Sequence, residues 1–224
     1  MMGLVMPVVV IVGMPGVGKS TVRRQLAARL AADWAPVQWS IDDVLEIQCP
    51  EGVAEFSGAQ LYVRDGGHFL MHDEWRPGQM RRATRGLLVL ARATGRLGAF
   101  TRPPVLLLEL PLTELATFRL AVTEQPDLAG LVTVLHCDRS VRWARNARRP
   151  AHRRLPQQVL EYFEQAMVGV DVSGECARLS ANGWTVLTQE TTRPPELLAE
   201  HLAALVHAAA GGGDGAGRDG PAGD

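Results

Sequence analysis

The sequence predicts an α/β protein: a three-layer sandwich in which a five-stranded parallel sheet is covered by helices on both faces. Three observations carry this. Short, strongly apolar runs alternate with stretches of helical period along the chain. The first run ends in a glycine-rich octet that opens directly into a helix. At 224 residues and 46% hydrophobic content, one domain can bury a core of that size.

The first strand is Pro7-Val8-Val9-Val10-Ile11-Val12, a β-branched run of the kind buried on both faces. It leads into Gly13-Met14-Pro15-Gly16-Val17-Gly18-Lys19-Ser20, which satisfies G-x-x-x-x-G-K-[ST], the phosphate-binding P-loop. Val22, Leu26 and Leu30 then recur at spacing four, and the first helix follows. Lys19 is the single lysine of the chain, against 22 arginines. Arginine replaces lysine readily on a solvated surface, but poorly where a compact ammonium must reach the β- and γ-phosphates. Gly13, Gly16, Val17 and Gly18 are expected to wrap a nucleotide's phosphates. Lys19 pairs with them, Ser20 holds Mg²⁺, and Thr21 reaches the α-phosphate. ATP and Mg²⁺ are the expected cofactors.

A second strand fits Pro36 to Ile41 and ends at Asp42-Asp43. Residues 43–79 have weak periodicity and many Gly and Pro breaks, which predicts short helices and loops. Gln79 to Arg96 is a clearer helix, with Met80, Ala83, Leu87 and Leu90 as its apolar stripe. Its Arg81, Arg85, Arg92 and Arg96 share another face, read as solvated. Pro104 to Leu110 is the third strand, Thr113 to Glu124 a helix, and Leu131 to Cys137 the fourth strand. Arg139 to Arg149 and Pro156 to Met167 are helices joined by an arginine-rich bend. Gly183 to Thr188 is the fifth strand and Pro195 to Ala209 the last helix. Residues 210–224 are nearly all Gly, Ala, Asp and Pro, and read as a disordered tail.

In such a sheet ligands bind beyond the carboxyl ends of the strands. That gives priority to Asp42, Asp43, Glu109, Cys137, Asp138 and Gln189. Phosphoryl transfer needs an acceptor for the proton of the attacking hydroxyl. Asp42 is the expected base and Asp43 a helix cap or a carboxylate near the metal; the plainer alternative is that both cap the next helix. In Arg142 to Pro156, Arg142, Arg145 and Arg149 share one helix face, and five of the ten residues from Arg145 to Arg154 are arginine. Behind a P-loop this matches a lid, about residues 142–156, that brings guanidinium groups to the phosphates; the alternative is a solvated basic turn.

The stretch from Arg145 to Tyr162 resembles the lid and following helix of phage-type polynucleotide 5′-kinases, and the Ile41-Asp42-Asp43 strand end is similar to the segment holding their catalytic aspartate. Phage relatives of that type also phosphorylate hydroxymethyl-pyrimidines within DNA. The resemblance implies a P-loop kinase over residues 1–209. It places Asp42 as general base and Arg145 and Arg149 as catalytic lid arginines beside Lys19. Glu109 stands where the family carries an aspartate, and is a candidate for the outer surroundings of the metal. The family's acceptor-binding arginine, three residues past its aspartate, is here Leu45. The expected function is ATP-dependent phosphorylation of a hydroxyl on DNA, RNA or a nucleotide-like acceptor. The alternatives are a small-molecule phosphotransferase, resembling chloramphenicol phosphotransferase, and a regulatory P-loop NTPase.

Formal net charge is −1, so no overall basic field attracts nucleic acid and any such binding needs a local patch. Cys49, Cys137 and Cys176 lack metal spacing and read as reduced thiols of a cytoplasmic protein. Nothing in the chain reads as a signal peptide or membrane span. His68, His72, Asp73 and Glu74 form a weak metal pattern. Trp75 and Trp143 read as packing or hinge residues, and the loop Gln189 to Pro194 lies where related kinases pack adenine.

Overall fold

A computed structural model describes residues 6–48, 53–56, 59–65, 68–71, 76–125, 128, 130–150, 154–155, 157–192 and 194–211. Five strands form one parallel sheet: β1 (Val8–Gly13), β2 (Ala35–Ser40), β6 (Pro104–Pro111), β7 (Gly130–His136) and β8 (Thr185–Glu190). Their spatial order is β2-β6-β1-β7-β8. From β1 the chain passes through α1 (Lys19–Leu30) to the edge strand β2, returns to β6, and then crosses to β7 and β8 on the other flank. The order therefore reverses around β1, and the P-loop leaves the sheet at that crevice.

Side chains of β1 divide between two cores. Val8, Val10 and Val12 join Leu106, Leu108 and Leu110 under α3 (Arg76–Leu97) and α4 (Leu115–Thr123). Val9 and Ile11 join Leu107 under α1 and α8 (Pro195–Gly211). Each such side chain, fully buried, contributes about 1.5–3 kcal/mol. A strand buried on both faces has no polar phase to lose, so the continuous run of valines is what this position requires. The expected sandwich and all five strands are present, with ends displaced by a few residues.

Two elements differ from expectation. Between α2 (Ile41–Gln48) and α3, a three-stranded antiparallel sheet, β3 (Val53–Phe56), β4 (Ala59–Asp65) and β5 (His68–Met71), replaces the expected short helices and loops. Val53 pairs with Val63 and Val63 with Leu70, giving one apolar row across the three strands. The runs are four to seven residues long, too short for a period to register. A helix α7 (Val172–Ala181) was also not expected. Its apolar face is short, with Leu179 buried and Val172 and Cys176 partly buried against the core. It is capped by Asp171, which accepts from Gly174 N at 2.8 Å, and pinned to α4 by the Arg119–Glu175 ion pair.

The arginine-rich segment begins on α5 (Arg139–Ala147) and ends at α6 (Gln157–Ala166). The last helix continues through Gly211, two residues into the expected tail; the remainder of 210–224 lies outside the described residues, as do Cys49, His72 to Trp75, and Pro156. Cys137 and Cys176 are free thiols. Among the described residues, no helix is long and apolar enough to cross a membrane.

Candidate active site

The P-loop holds its shape through glycines that no other residue replaces cheaply. Gly16 and Gly18 have φ of 81° and 108°, in the left-handed region. A Cβ on Gly16 would stand 2.9 Å from the carbonyl oxygen of Arg142, so the loop packs directly on the α5 backbone. Gly18 caps α1, its carbonyl accepting from Thr21 N and Val22 N at 3.1 Å. Lys19, half-buried, donates from Nζ to Gly13 O at 2.9 Å and Met14 O at 3.3 Å. Burial lowers its pKa; Glu109 and Asp42 oppose that shift, and Arg149 adds to it.

Ser20 follows Lys19 and faces the neighbouring strand, where its Oγ donates to Glu109 Oε1 at 2.9 Å. Glu109 Oε2 meets Arg23 Nε at 3.5 Å, an ion pair longer than a hydrogen bond. Glu109 Oε2 and Arg23 Nε and Nη1 are buried and make no hydrogen bond. Arg23 lies four residues after Lys19 on α1, hence on the same helix face, and that spacing is the signal by which the sequence could have revealed it. The donor set fits Mg²⁺, which favours few carboxylates and hard oxygen ligands: a hydroxyl, a carboxylate, and one carboxylate oxygen still lacking a hydrogen bond.

Ser40 pairs alongside Glu109 at the end of β2, and this brings Asp42 to the same place. The two aspartates separate. Asp43 Oδ2 accepts from Ser40 N at 2.6 Å and Ser40 Oγ at 2.7 Å, while Ser40 Oγ accepts from Asp43 N at 3.2 Å. This reciprocal cap closes the first turn of α2 and involves Asp43 alone. Asp42, one residue earlier, feels Glu109, Lys19 and Arg23. Water reaches Asp42, yet the cleft walls displace enough of it to raise the carboxyl; with Glu109 adding to that push and Lys19 opposing it, the pKa is about 6.

The lid arginines separate as well. Arg142 is buried, with its side chain tied to Glu164 Oε1 at 2.7 Å and its carbonyl packed against Gly16 of the loop. Arg145 lies against the P-loop, where a Cβ on Gly18 would stand 3.8 Å from its Nη1. Its Nη1 donates to Val17 O at 2.9 Å and Thr191 Oγ1 at 3.0 Å, and its Nη2 to Thr191 O at 2.5 Å. These contacts tie the guanidinium to the P-loop and to the turn after β8. It borders a cavity of about 260 Å³ together with Val17, Thr21, Val22, Thr191 and Leu198. That cavity adjoins the P-loop and includes Thr191 of the loop expected to pack adenine. The charge of Arg149 contributes to the surroundings of Lys19. Trp143 stacks under Arg139 at 4.8 Å and is a packing residue of the α5–α6 junction. Arg85 of the α3 row is exposed and pairs with Glu124 at 3.9 Å. Among the described residues, no group of three His, Cys, Asp or Glu is placed to hold a metal.

No family model and no curated protein matches the sequence. Among solved structures, the chain is similar to a shikimate kinase from Acinetobacter baumannii in complex with shikimate, at 17% identity over 91% of this chain and 94% of that one, with a TM-score of 0.53. It is similar to a gluconokinase from Sinorhizobium meliloti at 14% identity, 92% and 94% coverage and a TM-score of 0.51. The tunicamycin resistance protein of Deinococcus radiodurans follows at 17% identity, 90% and 95% coverage and a TM-score of 0.50. The fold is thus that of the P-loop kinases. The polynucleotide-kinase likeness stays at the level of short motifs.

Proposed function

We propose that the protein is an ATP-dependent phosphotransferase whose acceptor is a hydroxyl group on a small molecule. One observation carries the reading: Asp42, excluded from the helix cap by Asp43, stands with its carboxyl at about pKa 6 beside Lys19, Glu109 and Arg23. A base of that pKa is ionised at neutral pH and still accepts a proton readily. Asp42 takes the proton of the acceptor hydroxyl as its oxygen bonds to the γ-phosphorus. The bond from that phosphorus to the β–γ bridging oxygen breaks and ADP leaves. Lys19 neutralises the charge shared by the β- and γ-phosphates. Ser20 and Glu109 are the residues that would hold Mg²⁺, whose chemistry is to neutralise those same oxygens. The domain assignment, residues 1–209 with a lid near 142–156, belongs to this proposal.

A small-molecule acceptor is favoured over nucleic acid on two grounds. The similar structures include a shikimate kinase and a gluconokinase. Several arginines are engaged in protein contacts: Arg142 with Glu164, Arg145 with Val17 and Thr191, Arg119 with Glu175. The test is transfer of labelled γ-phosphate to a panel of hydroxy acids, sugars, nucleosides, hydroxylated antibiotics and oligonucleotides. Product from a small acceptor is expected. Product from oligonucleotides alone restores the nucleic-acid reading, and ATP turnover without any product in the panel points to a regulatory NTPase.

A further inference from the structure

The arginine-rich turn after α5 is braced by the side chain of Asn146. Asn146 is 5% exposed, and both ends of its side-chain amide are used at one place. Nδ2 donates to Leu155 O at 2.9 Å, and Oδ1 accepts from Leu155 N at 3.0 Å. One amide thereby fastens the two ends of the segment that contains Arg148, Arg149 and Arg154. Inside it, Arg149 N donates to Asn146 O at 3.1 Å, and Arg154 Nη2 donates to Arg149 O at 3.3 Å. The backbone of Arg149 is therefore held from both sides, and both holds depend on where the turn begins and ends.

The helices on either side do not need this brace. On α5, Arg142 is tied to Glu164 and packs its carbonyl against Gly16, and Arg145 is clamped to Val17 and Thr191. On α6, Glu164 takes both Arg142 and Arg139. Removing the Asn146 amide frees the turn and leaves these anchors in place. Fixed ends restrict a short segment most strongly, and a guanidinium displaced by about 1 Å costs up to about 10²-fold in rate.

Resting on the phosphotransferase reading above, we propose that Asn146 is a positioning residue: its paired hydrogen bonds to Leu155 fix where the arginine turn begins and ends, and with it the backbone that carries Arg149, the arginine that reading assigns to the phosphates. Aspartate cannot take its place, because a carboxylate accepts but does not donate and would face the Leu155 carbonyl.

Asn146→Ala, Asn146→Asp, Arg149→Ala and the Asn146→Ala/Arg149→Ala double variant test this. Three quantities are read: nucleotide affinity with a fluorescent ATP analogue, kcat, and the rate of tryptic cleavage after Arg148 and Arg154 without nucleotide. Asn146→Ala should cleave several-fold faster, keep its nucleotide Kd within about threefold, and lose about 10- to 10²-fold in kcat, with Asn146→Asp between it and wild type. The double variant should be no slower than Arg149→Ala, since Asn146 acts through Arg149. Unchanged cleavage, unchanged kcat, or additive losses in the double variant would each overturn the proposal. If Asn146→Ala does not fold, the Kd-against-kcat split in Asn146→Asp decides. If the wild type transfers no phosphate to any acceptor, the phosphotransferase reading fails, while cleavage and kcat for ATP hydrolysis still decide the role of Asn146.

Discussion

On one side of the P-loop, the guanidinium of Arg145 meets three acceptors and closes a wall around a cavity. On the other, Arg23 and Glu109 face each other at 3.5 Å with buried polar atoms that make no hydrogen bond, and Asp42 keeps a carboxyl that no cap engages. The first region is satisfied within the protein. The second keeps buried polar atoms of Arg23 and Glu109 without a hydrogen bond beside the uncapped carboxyl of Asp42. Unsatisfied buried polar atoms cost stability, on the order of 1–3 kcal/mol each, so a fold tolerates them where they serve a ligand or a reaction. The proposed function places binding on the Arg145 side and chemistry on the Asp42 side, and substitutions should separate along that line.

The largest effect is expected at Asp42. Asp42→Asn keeps the shape and removes the proton acceptor, so phosphoryl transfer should fall on the order of 10²–10⁴-fold with nucleotide affinity nearly unchanged. Steady-state kinetics and nucleotide titration check this together. Asp43→Asn should do much less, since its oxygen can still accept from Ser40. A dead Asp43 variant beside an active Asp42 variant would place the chemistry one residue along.

Lys19→Ala should come next, with a loss of about 3–4 kcal/mol in transition-state stabilisation and a melting temperature close to wild type. The side chain donates only to loop carbonyls, and the core does not use it. Lys19→Arg should not rescue activity, because the planar fork does not match a site shaped for a compact ammonium. Near-native turnover in either variant would break the donor side of the comparison.

Arg145→Ala tests the opposite side. Its three bonds join α5, the P-loop and the turn after β8, so the variant should bind nucleotide about tenfold more weakly and melt earlier. Each charge-assisted bond is worth about 1.5–3 kcal/mol. The loss in kcat at saturating nucleotide should be smaller than that of Arg149→Ala. If Arg145→Ala instead lowers kcat with affinity intact, Arg145 belongs with the phosphates after all.

These expectations also mark what the sequence reveals. The sheet was legible because Val8 to Val12 and Val105 to Leu108 are buried on both faces, and burial of that kind leaves an unmistakable apolar run. The P-loop was legible because its glycines and its lone lysine are local. What remained hidden depends on contacts between distant segments. Arg142, Arg145 and Arg149 share one helical face in sequence, yet Glu164, Thr191 and the surroundings of Lys19 draw them to three different places. Arg23 reads as surface until β6 places Glu109 against it. The short strands β3, β4 and β5 find their period only once paired with one another.

The smallest effect is the most specific to the Asp42 side. A carboxyl with an unfolded pKa near 3.8 and a folded pKa of about 6 binds its proton more tightly in the folded state. Its contribution to stability is therefore fully present below pH 3.8 and is lost as pH rises through about 6. Above that, the folded protein carries an unfavourable charge beside Glu109 and Asp43. Asn at position 42 cannot ionise, so Asp42→Asn should melt at a higher temperature than wild type at pH 8, and the gap should shrink at pH 5. The shift is modest, because water reaches the carboxyl and screens it. The same titration should appear in the wild-type reaction as a fall in kcat/KM below about pH 6. A melting difference that is equal at both pH values would mean that Asp42 is not held in an unfavourable charged state, and the Asp42 side would lose its distinction from the Arg145 side.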